Sequence, residues 1–214
     1  MTRMILSDNS RPYVIIGGGG HAKVLIDMLQ EHNVNIIGYT EINEIHEKIM
    51  GVPCIGNDDV IFEYKVEEIN LVNGLGSTGD NTYRKMIFEK YREKGYLFPS
   101  VVSMAASLSG NITVGFGVQI MRGALIQPGV ALDDNTIVNT GAVIDHDCII
   151  GKHVHIAPGV TISGGVTINE MSHIGTGAKI IQGINIGREA LVAAGAVVIN
   201  NVSEKTCVKG VPAR

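Results

Sequence analysis

The sequence predicts two units in series, a small parallel α/β domain over residues 1–100 and a parallel β-helix of six-residue repeats over residues 101–214. Three observations predict this order. Composition changes near residue 100: nine of the ten Phe and Tyr residues precede Pro99, and 24 of the 38 charged residues lie within the first 107. From Leu108 onward an aliphatic residue recurs at every sixth position. Ahead of the boundary, an apolar run, a four-glycine turn and a helical pattern follow one another.

In the first unit, the apolar run Tyr13 to Ile16 reads as a strand. Gly17, Gly18, Gly19 and Gly20 follow, then His21 and a helix through Val24, Leu25, Met28 and Leu29. A glycine turn at the head of a helix aims free backbone N–H groups and the positive end of the helix dipole at a phosphate. Gly17, Gly19 and Ala22 satisfy G-x-G-x-x-A, and Glu41 follows about 20 residues on, after a second strand from Asn35 to Tyr39. A short apolar run (Val52 to Ile55), a helix, a strand (Ile69 to Asn73) and a helix (Asn81 to Lys94) complete the unit. Roughly 90 residues supply about half of a Rossmann-like dinucleotide fold, so the expected ligand is one nucleotide and not NAD.

In the second unit, aliphatic residues fill sixteen of sixteen hexad positions from Leu108 to Val198. Four positions after each, from Ile112 to Val202, the residue is aliphatic or small, and neither column carries a charge. The position before the second column is Gly in nine hexads and Asn in three, residues that tolerate positive φ at a bend. A helix of period 3.6 cannot present this pattern on one face. A short strand followed by a corner can. Three hexads then close a triangular coil of 18 residues, and stacking at the ~4.8 Å strand spacing gives slightly over five coils and a prism of roughly 25 Å. Cys148, in the inward column, reads as a small core hydrophobe.

Composition excludes several classes. The 214 residues are 45% hydrophobic and 18% charged with a net charge of -4, which provides no basic field for a nucleic-acid backbone. No run of 18 apolar residues offers a membrane span. Met1 to Arg11 lacks the apolar segment of a secretory signal, and the three cysteines (Cys54, Cys148, Cys207) form no C-x-x-C pair, so a cytoplasmic location is expected.

The hexad run resembles the left-handed parallel β-helix of the hexapeptide-repeat acyltransferases, which transfer acyl groups from coenzyme A. The left hand comes from that resemblance. The order G-G-G-G-H-A-K-V, then N-T-G-A-V-I-D-H-D at Asn139 to Asp147, H-I-A-P-G-V at His155 to Val160, and G-V-P-A-R at Gly210 to Arg214, is similar to one subfamily. It comprises the nucleotide-sugar N-acetyltransferases that acetylate a 4-amino sugar, as in bacillosamine or perosamine biosynthesis, with the related sialic acid O-acetyltransferases. The resemblance implies acetyl-CoA as cosubstrate, a UDP-linked 4-amino sugar as acceptor for bacterial glycan biosynthesis, and a homotrimer with coenzyme grooves between adjacent prisms. It implies His146 as base and Asp147 as its orienting partner. His155, Gly164, His173, Ala194 and Lys209 are assigned to the coenzyme. Gly17 to Gly20, His21, Glu41 and Asn139 are assigned to the nucleotide sugar, with His21 near the sugar phosphate. The chain departs from the subfamily in having Thr40 and Glu41 where an Asp usually follows the second strand, and Ser103 to Ala106 in place of H-P-S-A.

Transfer of acetyl to an amine requires a proton acceptor near neutral pH, and imidazole, flanked here by Asp145 and Asp147, meets that need. His155 and His173 differ by 18, so they stack on one edge of adjacent coils, with Ile137 and Leu191 continuing the column. Stacked imidazoles line a coenzyme groove or hold a metal, the alternative reading being a metal-dependent β-helix hydratase; no metal is expected, because His153 occupies a bend that splays it from His155. His32 and His46 read as solvated.

Overall fold

A computed structural model describes residues 11–42 and 48–214; the reading of His46 and that of the segment Met1 to Ser10 lie outside the described residues. The first unit is a five-stranded sheet in the order β3-β4-β2-β1-β5. Its strands are β1 (Tyr13–Ile16), β2 (Ile36–Thr40), β3 (Lys48–Ile49), β4 (Val52–Gly56) and β5 (Asn70–Asn73), with helices α1 (Gly20–Glu31) and α2 (Thr82–Glu93). β1 is apolar throughout because both its faces are covered. Tyr13 and Ile15 pack with Leu25, Ile26 and Leu29 of α1, whereas Val14 and Ile16 pack with Ile87, Phe88 and Tyr91 of α2.

Two features depart from the all-parallel expectation. β3 runs antiparallel to β4, joined through Met50 and Gly51 at φ 50° and 84°, the mirror-image turn that matches strand twist. The helix expected after Ile55 is a 3-10 segment, Asp58–Glu63, whose start is capped by the Asn57 side chain accepting from the Asp59 N–H. Six residues are too few for a stable α-helix.

The second unit is a left-handed parallel β-helix with three sheets. Sheet I has seven strands, led in turn by Val101, Gln119, Ile137, His155, His173, Leu191 and Cys207; sheet II has six, from Ser107 to Val198; sheet III has five, from Thr113 to Ile186. Every rung except that of Cys207–Val208 is a two-residue parallel pairing in 18-residue register, as His155↔His173 and Val143↔Thr161 show. The prism exceeds the expected length. Val101–Val102 starts sheet I before the first counted hexad, and Cys207–Val208 ends it 16 residues after Leu191–Val192. Seven strands at ~4.8 Å span about 29 Å.

The inward columns form one continuous core from Val102 to Val202, each fully buried aliphatic side chain stabilising the fold by roughly 1.5–3 kcal/mol. Polar or sulfur intruders follow a rule: Ser100, Thr136, Cys148 and Ser172 each donate to the carbonyl fifteen residues on, at 2.7, 3.1, 3.3 and 2.7 Å. Each thereby satisfies its one donor inside the coil. Cys148 is fully buried and its thiol is pushed up by burial, in keeping with a core role. At the bend position the φ angles are positive not only for nine glycines but for Asn135, Asp147, His153, Met171 and Glu189, at 57° to 65°. Non-glycine residues are uncommon there.

The first unit rides on sheet I. Val101, Met121 and Ile137 belong to the same core as α1, and Arg122 pairs with Asp27 and Glu31. His32, expected to be solvated, is half-buried and its Nε2 donates to the Val102 carbonyl at 2.8 Å, stapling the end of α1 to the first coil.

Candidate functional site

β2 lies on one side of β1 and β5 on the other, so the sheet has its switch point at the carboxyl end of β1, where crevices of open α/β sheets form. The glycine turn sits there. A cavity of about 630 Å³ opens over it, lined by Gly17 to Gly20, His21 and Glu41 on one wall, Gly74 to Thr78 on another, and Asn139 and His155 of the β-helix on the third. Local geometry explains the glycines. Gly17 has φ +91° with Leu75 close by, and a β-carbon on Gly18 would stand 2.6 Å from the Tyr39 ring. Gly19 and Gly20 face open space at the head of α1. The Gly18 N–H donates to Glu41 Oε2 at 3.0 Å, which ties the turn to the end of β2.

His21 meets Gln119 Oε1 through Nε2 at 2.7 Å. Burial, aided by the nearby Arg84 charge, lowers its pKa to about 4. His155 reaches Ser77 Oγ through Nδ1 at 2.7 Å and Asn139 Nδ2 through Nε2 at 3.2 Å. Burial, then the neighbouring His173, His21 and Arg84, push its pKa down to about 2. Both imidazoles are therefore neutral. His173 stacks edge-on against His155 at 4.9 Å between ring centres and is itself buried. Thus the expected stack exists, but on the sheet that carries the first unit and not on an open prism face, and His155 lines the pocket of the glycine turn. His153, at φ 58°, turns away to Asn135 (2.9 Å) and Glu89 (3.5 Å), beside Phe88 of α2. Among the described residues no group of three or more His, Cys, Asp or Glu could hold a metal ion.

His146 and Asp147 occupy the corner between sheets II and III, following the strand Val143–Ile144. His146 Nδ1 lies 2.9 Å from Asp147 Oδ2, both side chains being mostly exposed, and the His146 N–H donates to Asp145 Oδ1 at 2.8 Å. The hydrogen bond that Asp147 accepts, then the charge of Asp145, raise the imidazole pKa above its usual 6.5. Gly164, one coil on, leaves room for the ring: a β-carbon there would stand 2.6 Å from Cε1 and Nε2. This corner is opposite sheet I in the triangle. Within one chain, His146 and the glycine-turn pocket are consequently on different sides of the prism. Ala194 and Lys209, both exposed, follow strands of sheet I at the corner between sheets I and II, separated by the width of sheet II from Gly164.

Sequence reasoning missed three groups. Arg84 is buried under the pocket and donates through Nη1 to the carbonyls of Asn73 (2.9 Å) and Leu75 (2.6 Å), while burial brings its pKa down to about 9. Ser77 and the wall from Gly74 follow β5 without a local motif. Gln119 left a usable signal, a polar residue 18 positions from both Val101 and Ile137 and in the same column as His155 and His173.

Residues 13–91 match the family model described as the PglD N-terminal domain. The chain is 32% identical to the acetyltransferase domain of PglB from Neisseria gonorrhoeae FA1090, over 95% of this chain and 98% of that one, with a TM-score of 0.89. That domain has also been solved in complex with acetyl coenzyme A. At 32% identity and a TM-score of 0.88, over 100% of this chain and 99% of the other, it is similar to PerB from Caulobacter crescentus, solved in complex with CoA and GDP-perosamine. WeeI from Acinetobacter baumannii AYE, 21% identical over 95% of this chain and 99% of its own, shares the fold with a TM-score of 0.87.

Proposed function

Because this chain belongs to the hexapeptide-repeat nucleotide-sugar N-acetyltransferases, we propose that it moves the acetyl group of acetyl-CoA onto the 4-amino group of a sugar carried on UDP or GDP. It is an acyltransferase with acetyl-CoA as cosubstrate. The observation that carries the acceptor assignment is the pocket itself, in which the glycine turn of the first unit and Asn139 and His155 of the β-helix face one cavity. Helix-terminal N–H groups there suit a diphosphate, and the β-helix wall suits the sugar. Residues 1–100 then serve as the nucleotide domain and residues 101–214 as the acyltransferase domain.

His146 acts as general base. Asp147 accepts the Nδ1–H and leaves Nε2 free, so Nε2 takes a proton from the amine as its nitrogen attacks the thioester carbonyl carbon. The C–N bond forms, the C–S bond breaks, and the proton passes on to the departing sulfur, releasing CoA as the thiol. The Gly164 N–H, which has no acceptor among the described residues, is the donor we assign to the developing oxyanion.

The homotrimer belongs to the same reading. His146 and Gly164 lie on one prism edge and the pocket, Ala194 and Lys209 elsewhere, so one site containing all of them takes residues from two copies. Exposed Ile181 and Ile199 share the corner of His146, and Ile149 lies 56% exposed over a groove of about 430 Å³ on sheet III, apolar surface suited to a second copy. No helix among the described residues is long and apolar enough to cross a membrane, which fits the cytoplasmic location we assign. Free-thiol release from acetyl-CoA across UDP-, GDP- and dTDP-linked 4-amino sugars tests the function. Release with none of them, or with a free sialic acid-like sugar alone, overturns it.

A further inference from the structure

Gln119 stands on sheet I, 1% exposed, and both ends of its amide are engaged. Nε2 donates to the Asn73 carbonyl at 2.8 Å, an oxygen that also accepts from Arg84 Nη1. A backbone carbonyl can only accept, so the amide nitrogen must face it and Oε1 must face His21. An amide oxygen likewise can only accept. The His21 nitrogen 2.7 Å away, Nε2, therefore carries the proton. In a neutral imidazole the other nitrogen is then a bare acceptor. His21 Nδ1 has no hydrogen-bond partner among the described residues and lies beside Gly76 on the pocket wall.

We propose that Gln119 is a positioning residue: it locks His21 as the Nε2–H tautomer, so that Nδ1 accepts a hydroxyl or N–H donor of the sugar nucleotide and does not bind a phosphate oxygen. The proposal rests on assigning this pocket to the nucleotide sugar and revises the expected place of His21 near the sugar phosphate. A phosphate oxygen offers no hydrogen to a lone pair, and the two would repel. The diphosphate is left to the backbone N–H groups at the start of α1. Burial and the Arg84 charge both favour the neutral His21 ring, and Glu41 and His155 line the same cavity.

The opposite wall is fixed by the same logic in the opposite sense. The Thr140 N–H donates to Asn139 Oδ1 at 2.8 Å, which turns Asn139 Nδ2 toward His155 Nε2. That nitrogen must accept, so His155 carries its proton on Nδ1 and donates to Ser77 Oγ at 2.7 Å. The Ser77 hydroxyl hydrogen is thereby released toward the cavity. These two hydrogen-bond chains thus present an acceptor, His21 Nδ1, and a donor, Ser77 O–H, to the same ligand.

Long-range ¹H–¹⁵N correlation spectra of the histidine side chains near pH 7, assigned with His21→Gln, test this in the free enzyme. The expected pattern for His21 is a protonated Nε2 and an unprotonated Nδ1, unchanged by saturating UDP or GDP and shifted at Nδ1 when the accepted sugar nucleotide is added. An imidazolium or an Nδ1–H ring in the free enzyme, or protonation of Nδ1 on adding UDP or GDP, overturns the proposal. In Gln119→Glu the carboxylate should convert His21 to the imidazolium and raise the KM for the sugar nucleotide about three- to tenfold, the scale of one hydrogen bond, with the KM for acetyl-CoA unmoved. An imidazolium with unchanged KM also overturns it. If Gln119→Glu fails to fold, Gln119→Met serves, with a mixed tautomer expected; a ring still wholly Nε2–H would show that Gln119 is not the lock. The free-enzyme spectrum needs no turnover, so absence of acetyl transfer to any amino sugar sinks the function while leaving the tautomer readable.

Discussion

Gly164 lies one coil beyond His146 and its α-carbon faces the imidazole so closely that a β-carbon would stand 2.6 Å from both Cε1 and Nε2. The nitrogen concerned is the one left free by the Asp147 contact. Glycine at 164 therefore sets the clearance over the reacting edge of the ring. Asp147 has the same relation to Gly129, where a β-carbon would collide with Oδ1. The pair is held in a slot cut by two glycines of the neighbouring coils.

Gly164→Ala should displace the His146 ring and lower kcat by about tenfold or more, with the fold intact because the ring is solvent-exposed and free to move. Circular dichroism with steady-state kinetics checks it. Unchanged kcat would show that the ring position is not critical.

His146→Ala should lower kcat by ~100- to ~10,000-fold, the usual worth of a positioned base, with acetyl-CoA affinity retained. In the parent, kcat/KM should rise with pH through an ionisation above 6.5, because Asp147 and Asp145 favour the imidazolium and the base works only when neutral. Asp147→Asn removes the larger cause and should move that limb to lower pH, with a smaller loss of rate. An Ala variant keeping a tenth of parental kcat and the same limb would place the base elsewhere.

Gly18→Val should raise the KM for the sugar nucleotide, since the added carbons run into the Tyr39 ring and Glu41 at the end of β2. The KM for acetyl-CoA should stay put. Kinetics with each substrate varied in turn distinguishes the two, and the reverse result would reassign the glycine turn.

Light scattering at micromolar protein should give three times the 22.8 kDa chain mass. A charge on the exposed apolar surface of sheet III, as in Ile149→Glu, should shift the mass toward monomer and abolish acetyl transfer together. Full activity in a monomer would remove the shared-site argument.

The β-helix was legible in the chain because its physics is local and repeated. Each hexad places one aliphatic at the strand and one small residue after the bend, and a column such as Ile144, Ile162 and Ile180 must be buried in every coil. Even His155 over His173 followed from counting to 18. Likewise, Tyr13 to Ile16 announced a strand, and four glycines before His21 announced a turn at the head of a helix. The short segments were harder. Lys48–Ile49 is a two-residue strand that pairs with Val52 and Pro53, and Asp58–Glu63 has too few residues for periodicity to register.

By itself, then, the sequence determined the two units, the inward columns, the glycine turn and the His146–Asp147 neighbours, since each depends on residues a fixed, short distance apart along the chain. Which face of the prism carries the first unit was decided only by tertiary packing, because nothing in a hexad distinguishes sheet I from sheets II and III until α1 covers Val101, Met121 and Ile137. That choice put His155 in the pocket of the glycine turn and His146 on the opposite corner. It also brought together His21, Gln119, Asn73 and Arg84, whose sequence separations of up to 98 residues leave no periodic trace. Hydrogen-bond direction at such a junction is set by which donors and acceptors meet across it, and they meet only when the two cores close on each other.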